Sequence, residues 1–458
     1  MSHTRLARLG TAVALLVSTA LLAGPATAIA TGAGRPADER ATAEPARAEQ
    51  SSSARAGTEQ TGTEQNGDAR AGTENTVEAT AADPCGFLSE AAVVPCFSEP
   101  DADDATSSRI FQSMAALTDA AGEGDTIRVL HYDWQAASTY SDQLAESVVA
   151  AYERGVDVQL ILDEATDAER FAQFEQAGVP TTVCEDWQSA DEAPGERPAN
   201  CLMIDDKDYY GPDSNLPMTH TKLWLFELDG VSHVVAGSSN LGEWDYANAW
   251  NDMVRFRDDQ VLFDYLSGWW DRVAADDWQG WDADADRQVE GAASSGAYLY
   301  PRSSDDPMAD ELSRLSSCPS DGGISVAMSK WNTGTREAVL AELQRLADAG
   351  CSVRIMADWG WDPAWVAELR GIFSDDSVRW VCRLHHKMTV VDGEYDGERR
   401  QLAYTGSNIW ADGSLLYSNE LGVRTGDPDA VAGYAAHYEN LWENWTSTAA
   451  DPPTECPH

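Results

Sequence analysis

The triplet His220-Thr221-Lys222 returns 165 residues later as His385-His386-Lys387, and each copy opens an apolar run that ends in Asp-Gly. The chain has 8 histidines in 458 residues, and its lysines are Lys207, Lys222, Lys330 and Lys387. Chance placement of such scarce residues gives roughly 0.07 triplets of this kind. The repeat therefore constrains the chain to two related halves, each bringing a His and a cation to one site.

The surrounding sequence can be laid over itself in the same way. Apolar strands are predicted over 126–134 and 324–331. Helices are expected near 141–154 and 336–349, each stopped by a glycine, Gly155 or Gly350. Strands ending in Asp163 and Asp358 follow. Strand–helix–strand twice over implies an α/β fold with right-handed crossovers and mixed or largely parallel sheets covered by helices. The two His-x-Lys strands come next, the first after a longer loop that carries Cys184 and Cys201. A further strand ends in Gly237-Ser238-Ser239-Asn240 or Gly406-Ser407-Asn408. Eleven residues beyond Asn240 and Asn408 stand Asn251-Asp252 and Asn419-Glu420, and this equal spacing aligns Asn240 with Asn408 and Asp252 with Glu420. Helices near 260–275 and 429–445 close the halves.

Residues 1–30 read as a secretory signal: Arg5 and Arg8, an apolar stretch, then small residues through Ala28 and Ala30. Residues 31–83 contain almost no large apolar side chain and nearly repeat one short run, so they read as a disordered tether; a pro-region is the other reading. The remainder divides into halves at 84–290 and 291–458. All eight cysteines lie there, an even count that suggests disulfides in an exported chain. Short spacing favours Cys85–Cys96 and Cys184–Cys201, and the absence of any Cys-x2-Cys pair argues against zinc. The formal net charge of −46 repels nucleic acid and anionic membranes but not zwitterionic or neutral surfaces. No segment beyond the signal is apolar enough to span a bilayer. A secreted, extracellular monomer is expected, with no cofactor and no metal.

In a strand, residues i and i+2 share a face, so His220 and Lys222 stand side by side, as do His385 and Lys387. A neighbouring Lys disfavours imidazolium and leaves a neutral, nucleophilic ring. Two such strands in one pocket suit a phosphoryl group: cations and amides hold its oxygens, one His attacks phosphorus, and the other protonates the leaving oxygen. Carboxylates at Asp252 and Glu420 would hold the second nitrogen of each imidazole and set its tautomer. His131 and Lys330 end strands aimed at the same pocket and are further candidates to bind substrate.

These residues resemble the phospholipase D superfamily, which carries two copies of H-x-K-x4-D, each followed by G-S-x-N and an acidic residue. His385, Lys387 and Asp392 match in full, with a shortened Gly406-Ser407-Asn408. In the first copy Glu227 stands at the Asp position and Asp229 follows two residues later, so the first hairpin should be the longer one. The resemblance covers the chain from Cys85 onward. It implies a duplicated phospholipase D-like fold, two pseudo-twofold-related α-β-α halves with one shared active site. It also implies metal-free phosphodiester exchange through a phosphohistidine, with His220 as nucleophile and His385 as acid. Lys222, Lys387, Asn240, Asn408 and, with them, Ser238 and Ser407 would bind the phosphate.

Exported and acidic members of such a family fit phospholipid substrates of the choline type, met at a membrane or micelle interface by peripheral contact only. Trp359, Trp361 and Trp365 could serve such an interface or pack in the core. A nuclease with the same chemistry lacks its basic groove here, and a non-catalytic binding protein would not need both triplets.

Overall fold

Two sheets repeat one strand order. The computed structural model describes residues 82–100, 102–184, 201, 218–277, 287–291, 294–302 and 305–454. The expected signal segment and all of the expected tether but its last two residues lie outside the described residues, as does Cys456. The first sheet contains β1 (Val93–Phe97), β2 (Thr126–His131), β3 (Asp157–Asp163), β4 (Thr181–Cys184), β5 (Lys222–Leu228), β6 (Val231–Gly237) and β7 (Asp252–Arg257). The second contains β8 (Gln288–Glu290), β9 (Gly296–Tyr300), β10 (Leu315–Ser317), β11 (Gly323–Met328), β12 (Ser352–Asp358), β13 (Val378–Val381), β14 (Lys387–Tyr395), β15 (Glu398–Gly406), β16 (Glu420–Thr425) and β17 (Thr446–Ser447).

The shared order is β7-β6-β5-β2-β3-β4 in one sheet and β16-β15-β14-β11-β12-β13 in the other. In one sheet β2, β3 and β4 run parallel, in the other β11, β12 and β13, and the His-x-Lys hairpin joins each set antiparallel. The strand Gln288–Glu290, assigned above to the first half, pairs instead with β9 in the second sheet.

Period-2 alternation divides the core. On β5, Leu223 and Leu225 face inward, while Trp224 and Phe226 face the helices Arg109–Asp119, Thr139–Glu153 and Ala168–Ala177. On β14, Met388 and Val390 join that same inner layer and Val391 faces the outer one. The inner layer is continuous across both sheets, and the helices Gln260–Ala274 and Pro428–Asn444 pack into it. Each closing helix starts where an Asp accepts free N–H groups: Asp259 from Leu262, and Asp427 from Asp429 and Ala430. Gly155 and Gly350 end their helices at φ of +92° and +93°, as expected.

Three disulfides, Cys85–Cys96, Cys184–Cys201 and Cys318–Cys351, fit an extracellular protein. No helix among the described residues is long and apolar enough to cross a membrane.

One expectation changes, and the choice left open for the tryptophans divides between them. The first hairpin turns at Asp229-Gly230 after seven-residue strands, whereas β14 runs through Asp392-Gly393 and turns at Asp396-Gly397. The second hairpin is therefore the longer, because Asp392 is held in mid-strand by Arg399 and Gln401. Of the tryptophans, Trp361 and Trp365 are buried around Trp331, and Trp359 alone of the three is exposed.

Candidate active site

The N-terminal ends of β5 and β14 meet across the junction of the halves. Thr219 bridges to Asn419, and Leu384 bridges to Trp250. Each His therefore follows directly on a backbone link to the opposite half. Lys222 Nζ donates to the carbonyl oxygen of His220 at 2.8 Å, and Lys387 Nζ to that of His385 at 2.9 Å. Both lysines are buried, and burial together with their mutual repulsion pushes Lys222 down to about 7, while burial pushes Lys387 down to about 8. The imidazoles keep an open edge, with side-chain exposures of 15% and 19%.

The partners of these rings are crossed. His220 Nδ1 lies 3.0 Å from Glu420 Oε2, a carboxylate of the second half. His385 Nδ1 lies 2.7 Å from Asn251 Oδ1, an amide of the first half. Asn251 Nδ2 donates to the Asp245 carbonyl, so its oxygen faces the ring and accepts Nδ1–H. Both rings thus present Nε2 to the pocket. Burial lowers His220 to about 4, against the opposing pull of Glu420, and burial with Lys387 and Lys222 holds His385 well below its usual range. Both are neutral at pH 7.

The alignment by equal Asn spacing is displaced by one residue. Gly237 pairs with Met253 and Gly406 with Gly422, so Asn251, not Asp252, is the counterpart of Glu420. The same register matches Leu241 with Trp410, which bridge to Trp134 and Trp331. Asn240 then corresponds to Ile409, and Asn408 to Ser239. Both asparagines of the second half stand one place earlier relative to the glycine, and the unchanged interval between them hid the shift. A Cβ on Gly237 would lie 2.2 Å from the Asp252 carbonyl, and one on Gly406 2.0 Å from that of Leu421. Glycine is required there because the next strand passes against it.

Asp252 does not reach His385. It accepts from His386 Nδ1 at 2.8 Å, Thr405 Oγ1 at 2.6 Å and the Tyr434 hydroxyl at 2.9 Å. Burial opposes its charge, yet those donors hold the carboxyl below its usual range. His386 continues through a 2.9 Å Nε2–Nε2 contact to His437. Ser238 and Ser407 accept the backbone N–H of Asp252 and Leu421, each at 3.0 Å, and so clamp the following strand, and the Ser238 hydroxyl also donates at 3.0 Å to Asn251 Oδ1, the partner of His385. Asn408 is engaged within the protein, its Oδ1 by Arg336 and its Nδ2 by Ser414. Asn240 keeps a buried Oδ1 without a partner. His131 lies buried opposite Lys222 in the ladder and accepts from Trp224 Nε1 at 3.3 Å. Lys330 stands in solvent: β11 ends at Met328, the counterpart of His131, and the chain bends away before Lys330.

Sequence reasoning missed four neighbours. Tyr132 meets His220 edge-on at 4.7 Å, and Lys222 Nζ lies over it. Trp244, 46% exposed, meets His385 edge-on at 5.6 Å. Asp133 and Asp245 lie near Lys222; burial raises Asp133 to about 6, and burial with Asp133 raises Asp245 to about 7. The signal of Trp244 and Asp245 was their distance from Gly237, legible only once the register was known, and that of Tyr132 and Asp133 was their place directly after His131 at the end of β2. No group of three or more His, Cys, Asp or Glu among the described residues is placed to hold a metal ion.

Residues 313–442 match the family described as cardiolipin synthase, PLD-like domain. The polyphosphate kinase of Porphyromonas gingivalis superposes with a TM-score of 0.51 at 11% identity, over 80% of this chain and 53% of the kinase. The chain thus spans about half the kinase's length. The phosphatidylserine synthase of Haemophilus influenzae Rd KW20 also gives 0.51 at 11% identity, over 78% of this chain and 88% of that one. Such identities establish the fold alone. Comparison with curated proteins returned no match.

Proposed function

We propose that the chain, whose residues 313–442 match the PLD-like domain family, is a phosphodiester-acting member of the phospholipase D superfamily and, within it, a secreted phospholipase D. It hydrolyses, or transfers, the head group of glycerophospholipids such as phosphatidylcholine. The observation that carries this reading is the pair of neutral imidazoles, each fixed through Nδ1 by the opposite half, beside two buried lysines.

His220 Nε2 attacks phosphorus while His385 Nε2–H gives its proton to the leaving oxygen. The P–O bond breaks as the P–N bond forms. His385, now neutral, takes a proton from water or an alcohol, whose oxygen displaces His220 and regenerates the enzyme. Lys222, Lys387 and Asn240 Nδ2 hold the non-bridging oxygens. A bound anion raises the proton affinity of His385, which supplies the acid form that the empty-site electrostatics disfavour. The charged partner of His220 suits the ring that must carry phosphorus and positive charge. The amide partner of His385 leaves a stronger acid.

Trp244 beside His385 and the exposed Trp359 support a lipid interface or a quaternary ammonium. The net charge of −46 weighs against a nucleic-acid substrate. The disulfides and the signal-like residues 1–30 support secretion. The test offers phosphatidylcholine, phosphatidylethanolamine and phosphatidylserine vesicles and single-stranded DNA to the wild type and His220→Ala. Choline and phosphatidic acid from the wild type alone are expected. DNA cleavage without head-group release overturns the substrate, and full activity of His220→Ala overturns the nucleophile.

A further inference from the structure

The corrected register exposes an exchange between the halves. Counting from Gly237 and Gly406, Asp245 is the counterpart of Ser414, just as Asn251 is the counterpart of Glu420. The backbone N–H of Asn240 bonds to Asp245 Oδ1 at 3.2 Å, and that of Ile409 to Ser414 Oγ at 3.2 Å, so the two positions do the same local work. Each half therefore places one acid and one neutral polar group behind the opposite imidazole, but in opposite order. In the second half Ser414 donates to Glu420 at 2.6 Å, and Glu420 meets His220. In the first, Asn251 meets His385, and the acid stands behind it: Asp245 Oδ1 is 3.7 Å from His385 Nδ1.

We propose that Asp245 is the positioning residue for the proton donor His385, its carboxylate stabilising the imidazolium as Glu420 does for His220. The inference rests on the two-histidine reading above. Asn251 Oδ1 accepts the Nδ1 proton and fixes the tautomer, while Asp245 supplies the charge that an amide lacks. The Nε2 proton passes to the leaving oxygen as the P–O bond breaks; Asp245 takes no proton itself. A carboxylate 3.7 Å away acts by charge without a hydrogen bond, so it stabilises the imidazolium less than Glu420 could and leaves His385 the stronger acid. The groups facing Asp245 are Asp133 from the bend after β2, Lys222 from β5, Lys387 and His385 from around β14, and the N–H of Asn240. Burial and Asp133 oppose its ionisation and raise its carboxyl to about 7, while the two lysines and the Asn240 N–H favour the carboxylate. A purely structural Asp245 would serve as acceptor for Asn240 N–H, which Asn can also do.

The experiment compares two lipids with the same phosphatidyl group: phosphatidylcholine, whose alkoxide needs a proton, and phosphatidyl-p-nitrophenol, whose phenolate does not. The readout is the first-turnover burst of leaving group in the full chain. For Asp245→Asn the choline burst should slow by about 10–100-fold, and the nitrophenol burst by less than about threefold. Equal slowing on both lipids, or none on either, overturns the assignment. Asp245→Ser combined with Asn251→Glu rebuilds the second half's arrangement and should bring the choline burst back to within about tenfold of wild type. That variant decides the matter if Asp245→Asn does not fold, and a choline burst lower still overturns the proposal. Wild type inert on both lipids would refute the proposed function itself, a separate outcome.

Discussion

Glu420→Gln changes one atom of the site and sets two hydrogen bonds against each other. Glu420 accepts at both oxygens, Oε2 from His220 Nδ1 at 3.0 Å and Oε1 from the Ser414 hydroxyl at 2.6 Å. Glutamine has one acceptor. If its oxygen faces His220, its NH2 faces a hydroxyl that already accepts Asn408 Nδ2 at 2.8 Å and Ile409 N–H at 3.2 Å. If its NH2 faces His220, the ring must carry its proton on Nε2 and loses the lone pair that attacks phosphorus. Replacing a charge-assisted bond by a neutral one removes about 1–2 kcal/mol. Loss of the acceptor that fixes a catalytic tautomer costs up to about 10⁴ in rate. The burst of p-nitrophenol from phosphatidyl-p-nitrophenol isolates formation of the phosphoenzyme. It should slow by about a thousandfold, about 4 kcal/mol of barrier. A burst within tenfold of wild type would refute the argument that this carboxylate fixes the nucleophile's tautomer.

Other outcomes follow from the same geometry. Lys222 and Lys387 lose their protons at about 7 and 8 in the free protein, so kcat/KM should fall as pH rises from 7 to 9. The limb in kcat should lie higher, because bound phosphodiester favours charged lysine; coincident limbs would contradict this. Gly237→Ala drives a methyl into the Asp252 carbonyl and should destabilise the fold by about 3 kcal/mol or abolish folding, measured by urea denaturation. Replacing Cys318 and Cys351 by serine opens a loop with a sequence separation of 33, and stability should fall by about 3–4 kcal/mol. A loss under about 1 kcal/mol would show that the loop is held by packing instead.

The duplication was legible because both triplets, both helix-stopping glycines and the strand patterns recur in order. Boundaries of the helices Thr139–Glu153 and Glu337–Asp348 fell within two residues of expectation, since apolar period and glycine stops are local signals. The register after Gly237 and Gly406 was not legible: repeated asparagines gave a closer textual match than the structural one. Nor was the partner of each imidazole, because laying one half over the other pairs equivalents, whereas the contacts run between non-equivalent residues of opposite halves. Lys330 misled because a strand's apolar run does not show where the backbone bends. Trp361 and Trp365 were left open between core and interface because aromatic clusters serve both.

The crossed contacts make the centre a coincidence device. Asn251 belongs to the half that supplies His220, and Glu420 to the half that supplies His385. Either half folded alone would hold a His-Lys pair with an unguided imidazole, and a chain whose inner layer had opened would do the same while its separate sheets stayed intact. Competence therefore reports on the seam between the halves and not on secondary structure. Inactivation in denaturant should track the separation of β5 and β6 from β16, the strands that touch across that seam. Two separately produced halves should be inert apart and regain turnover only as they associate, with second-order dependence on concentration.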